Sequence, residues 1–397
     1  MALSAAPPAS RVEDVGRDVR VMIVDDSAVV RGLVSRWVNE QPGLTAVGRH
    51  SNGKLAVEHI AKCSPDVVIL DIEMPVMDGL TALPLLLKAC PSARVIMAST
   101  LTRRNAEISI KALSLGATDY IAKPESNSGV TTSAEFRKDL LERIKVVGQR
   151  VVSRAARQSA HAKRSPAVGS ALKSRQSAAR RGQQRIEALA TSSDIELRSF
   201  SPVRPRILAI GSSTGGPQAL LSLIPQISPA LDAVPVVITQ HMPPTFTTIL
   251  AEHLERATLR RSKEGENGEV VNPGTIYVAP GKFHMILREK HGGIVIELDD
   301  GPQVNFCKPA VDPMFQSVSR IYGNAALAVV LTGMGHDGAD GGRAISERGG
   351  SVIAQDEASS VVWGMPGATA AAGVCSAVVP LPDMASKITA LLRGIGR

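Results

Sequence analysis

At 397 residues with a 44% hydrophobic content, the chain is too long for one ordinary domain and can bury two or three cores, which its 3% aromatic content assigns to Val, Ile, Leu and Ala. The net charge of +8 comes with no apolar run of membrane-spanning length and no N-terminal signal segment, so membrane insertion and export are excluded as expectations and a cytoplasmic protein is expected. Four dispersed cysteines (Cys63, Cys90, Cys307, Cys375), without a C-x-x-C pair or zinc spacing, exclude a disulfide scaffold or structural zinc site and fit a reducing compartment.

Residues 1–18 are small, polar and charged and are expected to be disordered. Order begins with the apolar strand Val19-Arg-Val-Met-Ile-Val24, which ends in Asp25-Asp26. A helix over 28–40, a weak strand over 45–49 and a helix over 53–61 follow, and then the strand Asp66-Val-Val-Ile-Leu-Asp71 ends in another acid. After the loop Glu73-Met-Pro-Val-Met-Asp-Gly79 come a helix over 80–89, a strand over 94–100, a helix over 104–115, the segment Thr118 to Pro124 and a closing helix over 134–147. Strands alternating with helices imply a doubly wound parallel sheet whose site lies at the carboxyl ends of its strands.

Asp25, Asp26 and Asp71 sit at the ends of strands that neighbour one another in such a sheet. Clustered carboxylates repel unless a hard cation lies between them, and Mg²⁺ with its octahedral oxygen shell fits. Ser99 and Lys123 also end strands and supply a hydroxyl and a cation able to grip a phosphoryl group. With these five groups in this order, residues 19–147 resemble the receiver domain of two-component response regulators, a flavodoxin-like fold. The resemblance implies Asp71 as phosphoacceptor and Asp25, Asp26, Asp71 and the Glu73 backbone carbonyl as the Mg²⁺ site. It also implies Ser99 and Lys123 as the phosphate-sensing pair and Tyr120 as the switching aromatic residue.

From about 148 to 204 the composition turns to Ser, Ala, Gln and Arg with few large apolar residues, which cannot bury a core. This reads as a flexible basic linker with at most transient helix around 183–190. Without interleaved aromatic residues its charge does not point to nucleic acid.

A second α/β unit spans 205–397. Its first strand, 207–210, runs into Gly211-Ser-Ser-Thr-Gly215 and then a helix start at Pro217, the strand–turn–helix context of a G-x-S-x-G nucleophile elbow centred on Ser213. No Lys-Ser/Thr follows the glycines, so a Walker loop is excluded. Next come Val234-Pro-Val-Val-Ile-Thr-Gln-His241, a helix over 246–256, a strand over 274–279 and a hairpin over 285–298. A helix over 312–322, the buried strand 326–332 leading into Gly333-Met-Gly-His-Asp-Gly338, strands at 351–355 and 376–379 and a final helix over 383–392 complete the unit. Ser213, His241 and Asp337 each follow an apolar strand and so emerge on one sheet edge, as nucleophile, general base and orienting carboxylate must. His284 and His336 compete for the base. The order Ser–His–Asp departs from that of α/β-hydrolases. A rival reading takes Gly333-x-Gly335-x-x-Gly338, with Asp356 about 20 residues on, as a dinucleotide loop. A third takes the elbow as vestigial in a non-catalytic, receiver-regulated adaptor.

The stretches Ala209-Ile-Gly-Ser-Ser-Thr-Gly-Gly216, Gln240-His-Met-Pro-Pro244, Leu331-Thr-Gly-Met-Gly-His-Asp-Gly338, Ala354-Gln-Asp-Glu357 and Trp363-Gly-Met-Pro366 resemble the catalytic domain of the CheB family. These are chemotaxis protein-glutamate methylesterases that also act as glutamine deamidases. The resemblance implies two doubly wound parallel-sheet domains, flavodoxin-like and Rossmann-like, with Ser213, His241 and Asp337 as triad and the Met334 N–H in the oxyanion hole. It implies hydrolysis of glutamate methyl esters and glutamine amides on methyl-accepting chemoreceptors, with no cofactor for the hydrolase chemistry, and phosphorylation by the chemotaxis histidine kinase. A monomer that binds no nucleic acid and does not enter the membrane is expected.

Overall fold

The computed structural model describes residues 17–100, 102–124, 133–163 and 195–395, with the backbone alone over 154–163. The N-terminal unit alternates β1 (Val19–Val24), α1 (Ala28–Glu40), β2 (Leu44–His50), α2 (Gly53–Cys63), β3 (Val67–Asp71), α3 (Gly79–Ala89), β4 (Arg94–Thr100), α4 (Arg103–Ser114) and β5 (Asp119–Lys123). The sheet is parallel throughout in the order β2-β1-β3-β4-β5. β3 is buried along its whole length, which explains an uninterrupted apolar run rather than an alternating one. The helices start where the sequence supplies side-chain acceptors for orphan N–H groups. Asn52 accepts from Leu55 N at 3.0 Å and Asp78 from Thr81 N at 2.7 Å.

The closing helix α5 runs Ala134–Lys163 and so continues well beyond 147. Gly148 allows this: a Cβ there would stand 2.2 Å from Val19 Cγ1, so only glycine lets the helix cross the start of β1. Arg17, expected in the N-terminal tail, makes a two-pronged pair with Asp66 at 2.6 and 2.8 Å. Residues 195–204, expected in the linker, lie on the C-terminal unit, where Arg198 N donates to Cys375 O (2.8 Å) and Ser201 N to Ser351 Oγ (2.9 Å). The rest of the expected tail (1–16) and linker (164–194), with the possible helix at 183–190, lies outside the described residues.

The C-terminal unit begins with β6 (Ile207–Ser212), α6 (Gly216–Ile227), β7 (Val236–Gln240), α7 (Phe246–Thr258), β8 (Ser262–Glu264) and β9 (Ile276–Val278). It continues with β10 (His284–Lys290), β11 (Gly293–Asp299), α8 (Val311–Tyr322), β12 (Ala326–Val330), α9 (Ala339–Glu347), β13 (Ser351–Gln355), α10 (Gly364–Ala371), β14 (Ala377–Val379) and α11 (Leu381–Leu392). Its seven parallel strands lie in the order β14-β13-β12-β6-β7-β9-β8. From β6 the chain builds outward through β7 and later returns to the other flank through β12. The loops after β12, β6 and β7 therefore open side by side at a topological switch point, where α/β sheets hold their sites. The antiparallel pair β10–β11 stands apart and packs on α8, with Leu287 N donating to Ser317 Oγ at 3.0 Å. The short strand β8 and the helices α9 and α10 were not expected from the sequence; both helices are short and glycine-bearing, with glycines at 341, 342, 364 and 367.

The two units touch. α4 packs against α6 and α7, Tyr120 stacks on Phe246 with centroids 4.4 Å apart, and Arg103 bonds Glu252 at 2.6 Å. From α5, Arg150 donates to the carbonyls of Glu357 and Ser360, and the Lys138 ammonium lies 5.6 Å from the Phe306 ring centroid.

Candidate active site

At the carboxyl edge of the N-terminal sheet, Asp25, Asp26 and Asp71 offer carboxylate oxygens all within 4.8 Å of one another. The Lys123 ammonium reaches two of them, Asp25 Oδ2 at 2.6 Å and Asp71 Oδ1 at 2.7 Å. Burial pushes the Asp71 carboxyl up to about 6; the Lys123 charge opposes this and the Asp25 charge adds to it. Burial works against charge on Lys123 as well, yet its two carboxylate partners raise it. The donor set is hard oxygen and carries more negative charge than one lysine offsets, so Asp25, Asp26 and Asp71 fit a magnesium-type cation. Glu73 lies apart from this carboxylate group and lines, with Asp26, Asp78 and Arg104, an adjacent cavity of about 410 Å³. The Ser99 hydroxyl donates at 3.2 Å to the carbonyls of Thr100 and Asn105, toward α4. Tyr120 is buried at the unit boundary against Phe246.

At the edge of the second sheet, Ser213, His241 and Asp337 follow the adjacent strands β6, β7 and β12. The turn carrying Ser213 is tightly built. Its N–H donates to Thr332 O at 3.1 Å, and its carbonyl accepts from Gly216 N (2.7 Å) and Gln240 Nε2 (3.0 Å). A Cβ on Gly216 would stand 2.1 Å from Gln240 Oε1, so glycine is required where the helix turns away. Ser213 as a residue is 9% exposed, and its hydroxyl has no hydrogen-bond partner among the described residues.

His241 Nε2 lies 2.7 Å from Asp337 Oδ2. A carboxylate only accepts, so Nε2 carries the proton and Nδ1 of the neutral ring is the basic nitrogen. Nδ1 faces Cys307 Sγ at 3.3 Å, and no hydrogen bond joins it to Ser213. Burial pulls the His241 imidazole down, but the Asp337 and Cys307 contacts outweigh it and hold it up at about 9. Asp337 lies among donors: Val311 N at 2.6 Å on Oδ2, and Asn305 Nδ2 (3.0 Å), Asp312 N (3.1 Å) and Gly338 N (3.1 Å) on Oδ1. Two of these are free N–H groups at the start of α8, whose dipole favours an anion. Burial opposes the Asp337 charge, and the His241, Val311 and Asn305 hydrogen bonds overcome it, leaving the carboxyl well below its usual range. The neighbouring Asp312 moves the other way, raised by burial and by the Asp337 charge.

The competing histidines separate clearly. His284 is buried, bonded through Nε2 to Pro302 O (2.9 Å) and through Nδ1 to Ala310 N (3.1 Å), and so braces a loop. His336 is exposed. Met334 presents an N–H that donates to no group among the described residues, one residue beyond Gly333, whose own Cβ would meet Ser213 at 2.9 Å. The dinucleotide reading is not favoured, because the Gly338 N–H is spent on Asp312 and Asp337. Asp356 is occupied by Ser359. Sequence reading did not single out Gln240, Asn305, Cys307 or the carboxyl role of Asp312. Gln240 was visible as a buried polar residue at the end of an apolar strand, but nothing local marks Asn305 or Cys307, which arrive from a distant loop.

These features define the class: a receiver-type sheet with an acidic, lysine-capped edge, joined to a parallel α/β unit with a serine–histidine–aspartate edge. Residues 21–135 match the response regulator receiver domain and residues 208–388 match the CheB methylesterase domain. A protein-glutamate methylesterase/protein-glutamine glutaminase of group 2 operon from Rhodopseudomonas palustris is 54% identical over 95% of this chain and 95% of its own. A relative of the same name from Nitrobacter hamburgensis is 52% identical over 99% of both chains. Among solved structures, the CheB methylesterase catalytic domain of Thermotoga maritima is 41% identical, covering 48% of this chain and 100% of its own with a TM-score of 0.46. The chain belongs to the CheB family of protein-glutamate methylesterases/protein-glutamine glutaminases. Among the described residues no helix is long and apolar enough to cross a membrane.

Proposed function

We propose that this protein is a phosphorylation-controlled hydrolase that removes methyl groups from glutamate methyl esters and deamidates glutamines on chemoreceptors. The observation that carries the reading is the 2.7 Å His241–Asp337 contact on strands flanking the one that ends at Ser213, in a chain of this family. In the reaction, Nδ1 of His241 takes the proton of Ser213, and Oγ attacks the side-chain carbonyl. The oxyanion develops beside the Met334 N–H and the N-terminus of α6. His241 then returns the proton to the departing methoxide or amide nitrogen, so that methanol or ammonia leaves, and water hydrolyses the acyl-enzyme by the same route.

Control follows from the boundary between the units. Phe246 begins α7 five residues after His241, Phe306 adjoins Cys307, and residues 357–361 border the site, and all three segments bear on the receiver. A receiver docked there obstructs a helical receptor. Asp71 is the phosphoacceptor, and Asp25, Asp26, Asp71 and the Glu73 carbonyl would hold Mg²⁺, which when bound neutralises charge on the entering phosphoryl group. Lys123 pairs with the acceptor carboxylate, and Ser99 must turn from the Thr100 and Asn105 carbonyls to reach a phosphoryl oxygen. The kinase of the chemotaxis array is the phosphodonor.

Methanol release from methylated receptor fragments, with wild type and Ser213→Ala, with and without a small phosphodonor, tests both parts. Release that requires Ser213 and increases with the phosphodonor is expected. Release unchanged by Ser213→Ala would refute the mechanism, and release indifferent to the phosphodonor would refute the control.

A further inference from the structure

Residues 304–307 form a two-residue hairpin turn closed by Val304 N to Cys307 O (3.1 Å) and Cys307 N to Val304 O (2.9 Å). Asn305 and Phe306 sit at φ +52° and +62°, a left-handed pair that suits asparagine and is unusual for phenylalanine. The turn is held because the Asn305 amide donates to Asp337 Oδ1 (3.0 Å) and Asp312 Oδ2 (2.8 Å). This anchorage on the acid of the triad sets the next-but-one side chain, Cys307, onto the base of the triad, with Sγ 3.3 Å from His241 Nδ1. Phe306 between them is 86% exposed, so the turn is open to solvent on its outer side, and Cys307 itself is half-buried.

Cys307, His241 and Asp337 thus form a thiol–imidazole–carboxylate row on the nitrogen that Ser213 needs, while the hydroxyl of Ser213, a residue only 9% exposed, stands without a partner among the described residues. We propose that Cys307 is a modification site for hydrogen peroxide and that its oxidation turns the hydrolase off. The inference rests on the reading of His241 as general base. An imidazole in contact with a thiol can take its proton, and the thiolate is the reactive form. Sulfur attacks one peroxide oxygen; the S–O bond forms, the O–O bond breaks, and the departing hydroxide collects the proton from His241 Nδ1 as water. Sulfur is oxidised by two electrons and the peroxide is reduced. The sulfenic acid then lies against Nδ1, donates to it, and denies it to Ser213. Such a product is reversible by thiols. Cys63 and Cys90 are half-buried on the receiver and Cys375 is buried with its thiol pushed up to about 12, so the chain carries its own comparison thiols.

The test uses full-length wild type, His241→Gln and Cys307→Ala, with Cys307→Ser as a second variant should alanine fail to fold. Each is exposed to hydrogen peroxide, trapped with dimedone and read by peptide mass spectrometry at every cysteine, with methanol release measured alongside. Trapping at Cys307 is expected to be about tenfold faster than at Cys63 or Cys90 and to slow about tenfold in His241→Gln. Wild-type release should fall with trapping and return with a thiol reductant, while the Cys307 variants keep whatever rate they had before peroxide. Equal trapping at the three cysteines, an unchanged Cys307 rate in His241→Gln, or equal loss of activity in the Cys307 variants overturns the proposal. Trapping tests the thiol–imidazole pair alone and release by unoxidised His241→Gln tests the base, so failure of one is distinguishable from failure of the other.

Discussion

The two sheets differ in strand number and order, but both are parallel and both place a key carboxylate at a strand's carboxyl end, yet they stabilise it in opposite ways. Asp71 relies on charge: one ammonium shared with Asp25 and one backbone N–H, with like-charged neighbours, leaves its carboxyl raised to about 6. Asp337 relies on dipoles: the His241 ring, Asn305 and the N–H groups of Val311, Asp312 and Gly338 all converge on it and hold it low. In the roles proposed above, fixed dipoles suit Asp337, whose charge would have to persist through every turnover. A crowded, incompletely balanced acid cluster suits Asp71, which as the proposed phosphoacceptor would have to accept a cation and a phosphoryl group and give both up again. The lesson is that burial alone does not decide a carboxylate's state; the number of donors organised around it does.

The largest effect should come from breaking the dipole-held side. In Asp337→Asn an amide N–H faces Val311 N or Asn305 Nδ2, donor against donor, and the imidazolium formed in catalysis loses its counter-charge. The rate of methanol release should drop about 10³-fold while the protein stays folded; a loss under tenfold would show that Asp337 does not orient His241. On the charge-held side, Asp71→Asn should leave basal release intact and remove all response to a small phosphodonor, and any remaining activation would place the acceptor elsewhere. Between the two sites, Arg103→Glu sets a second acid against Glu252 and should raise basal release about two- to fivefold, as an exposed pair allows. Adding Glu252→Arg should restore repression; an unaltered rate in both variants would mean this pair does not hold the units together.

The smallest effect is in the pH profile. As the proposed general base, His241 would act only when Nδ1 is unprotonated, and its two facing groups, Asp337 and Cys307, both raise it. Basal release should therefore climb with pH toward about 9. Removing Cys307 withdraws one raising contact, so the rise in Cys307→Ala should move to lower pH. A profile that stays in place would show that the thiol does not influence the base.

Much of this was legible before any coordinates. Asp25, Asp26, Asp71, Ser99 and Lys123 are readable because parallel strands deliver their last residues to one edge, and the same rule gathers Ser213, His241 and Asp337. Periodicity also located nearly every long element, although α5 extends past 147 because Gly148 permits close contact with Val19. Asn305 and Cys307 were not read as site residues, Cys307 being counted only among the dispersed cysteines, since their loop joins the hairpin to α8 and reaches His241 and Asp337 only through long-range bonds. Ser99 and Tyr120 were identified as residues, but their present orientations, toward the Thr100 and Asn105 carbonyls and toward Phe246, depend on neighbours that strand order does not specify.

The sequence by itself determined the two parallel sheets, the residues gathered at each edge and the family, because strand alternation, side-chain type and motif spacing are local properties. Only the tertiary structure decided which ring nitrogen of His241 is basic, that Cys307 rather than Ser213 meets it, and which faces of receiver and hydrolase meet. Those outcomes depend on contacts between residues tens to hundreds of positions apart, where a shift of an ångström exchanges one hydrogen-bond partner for another.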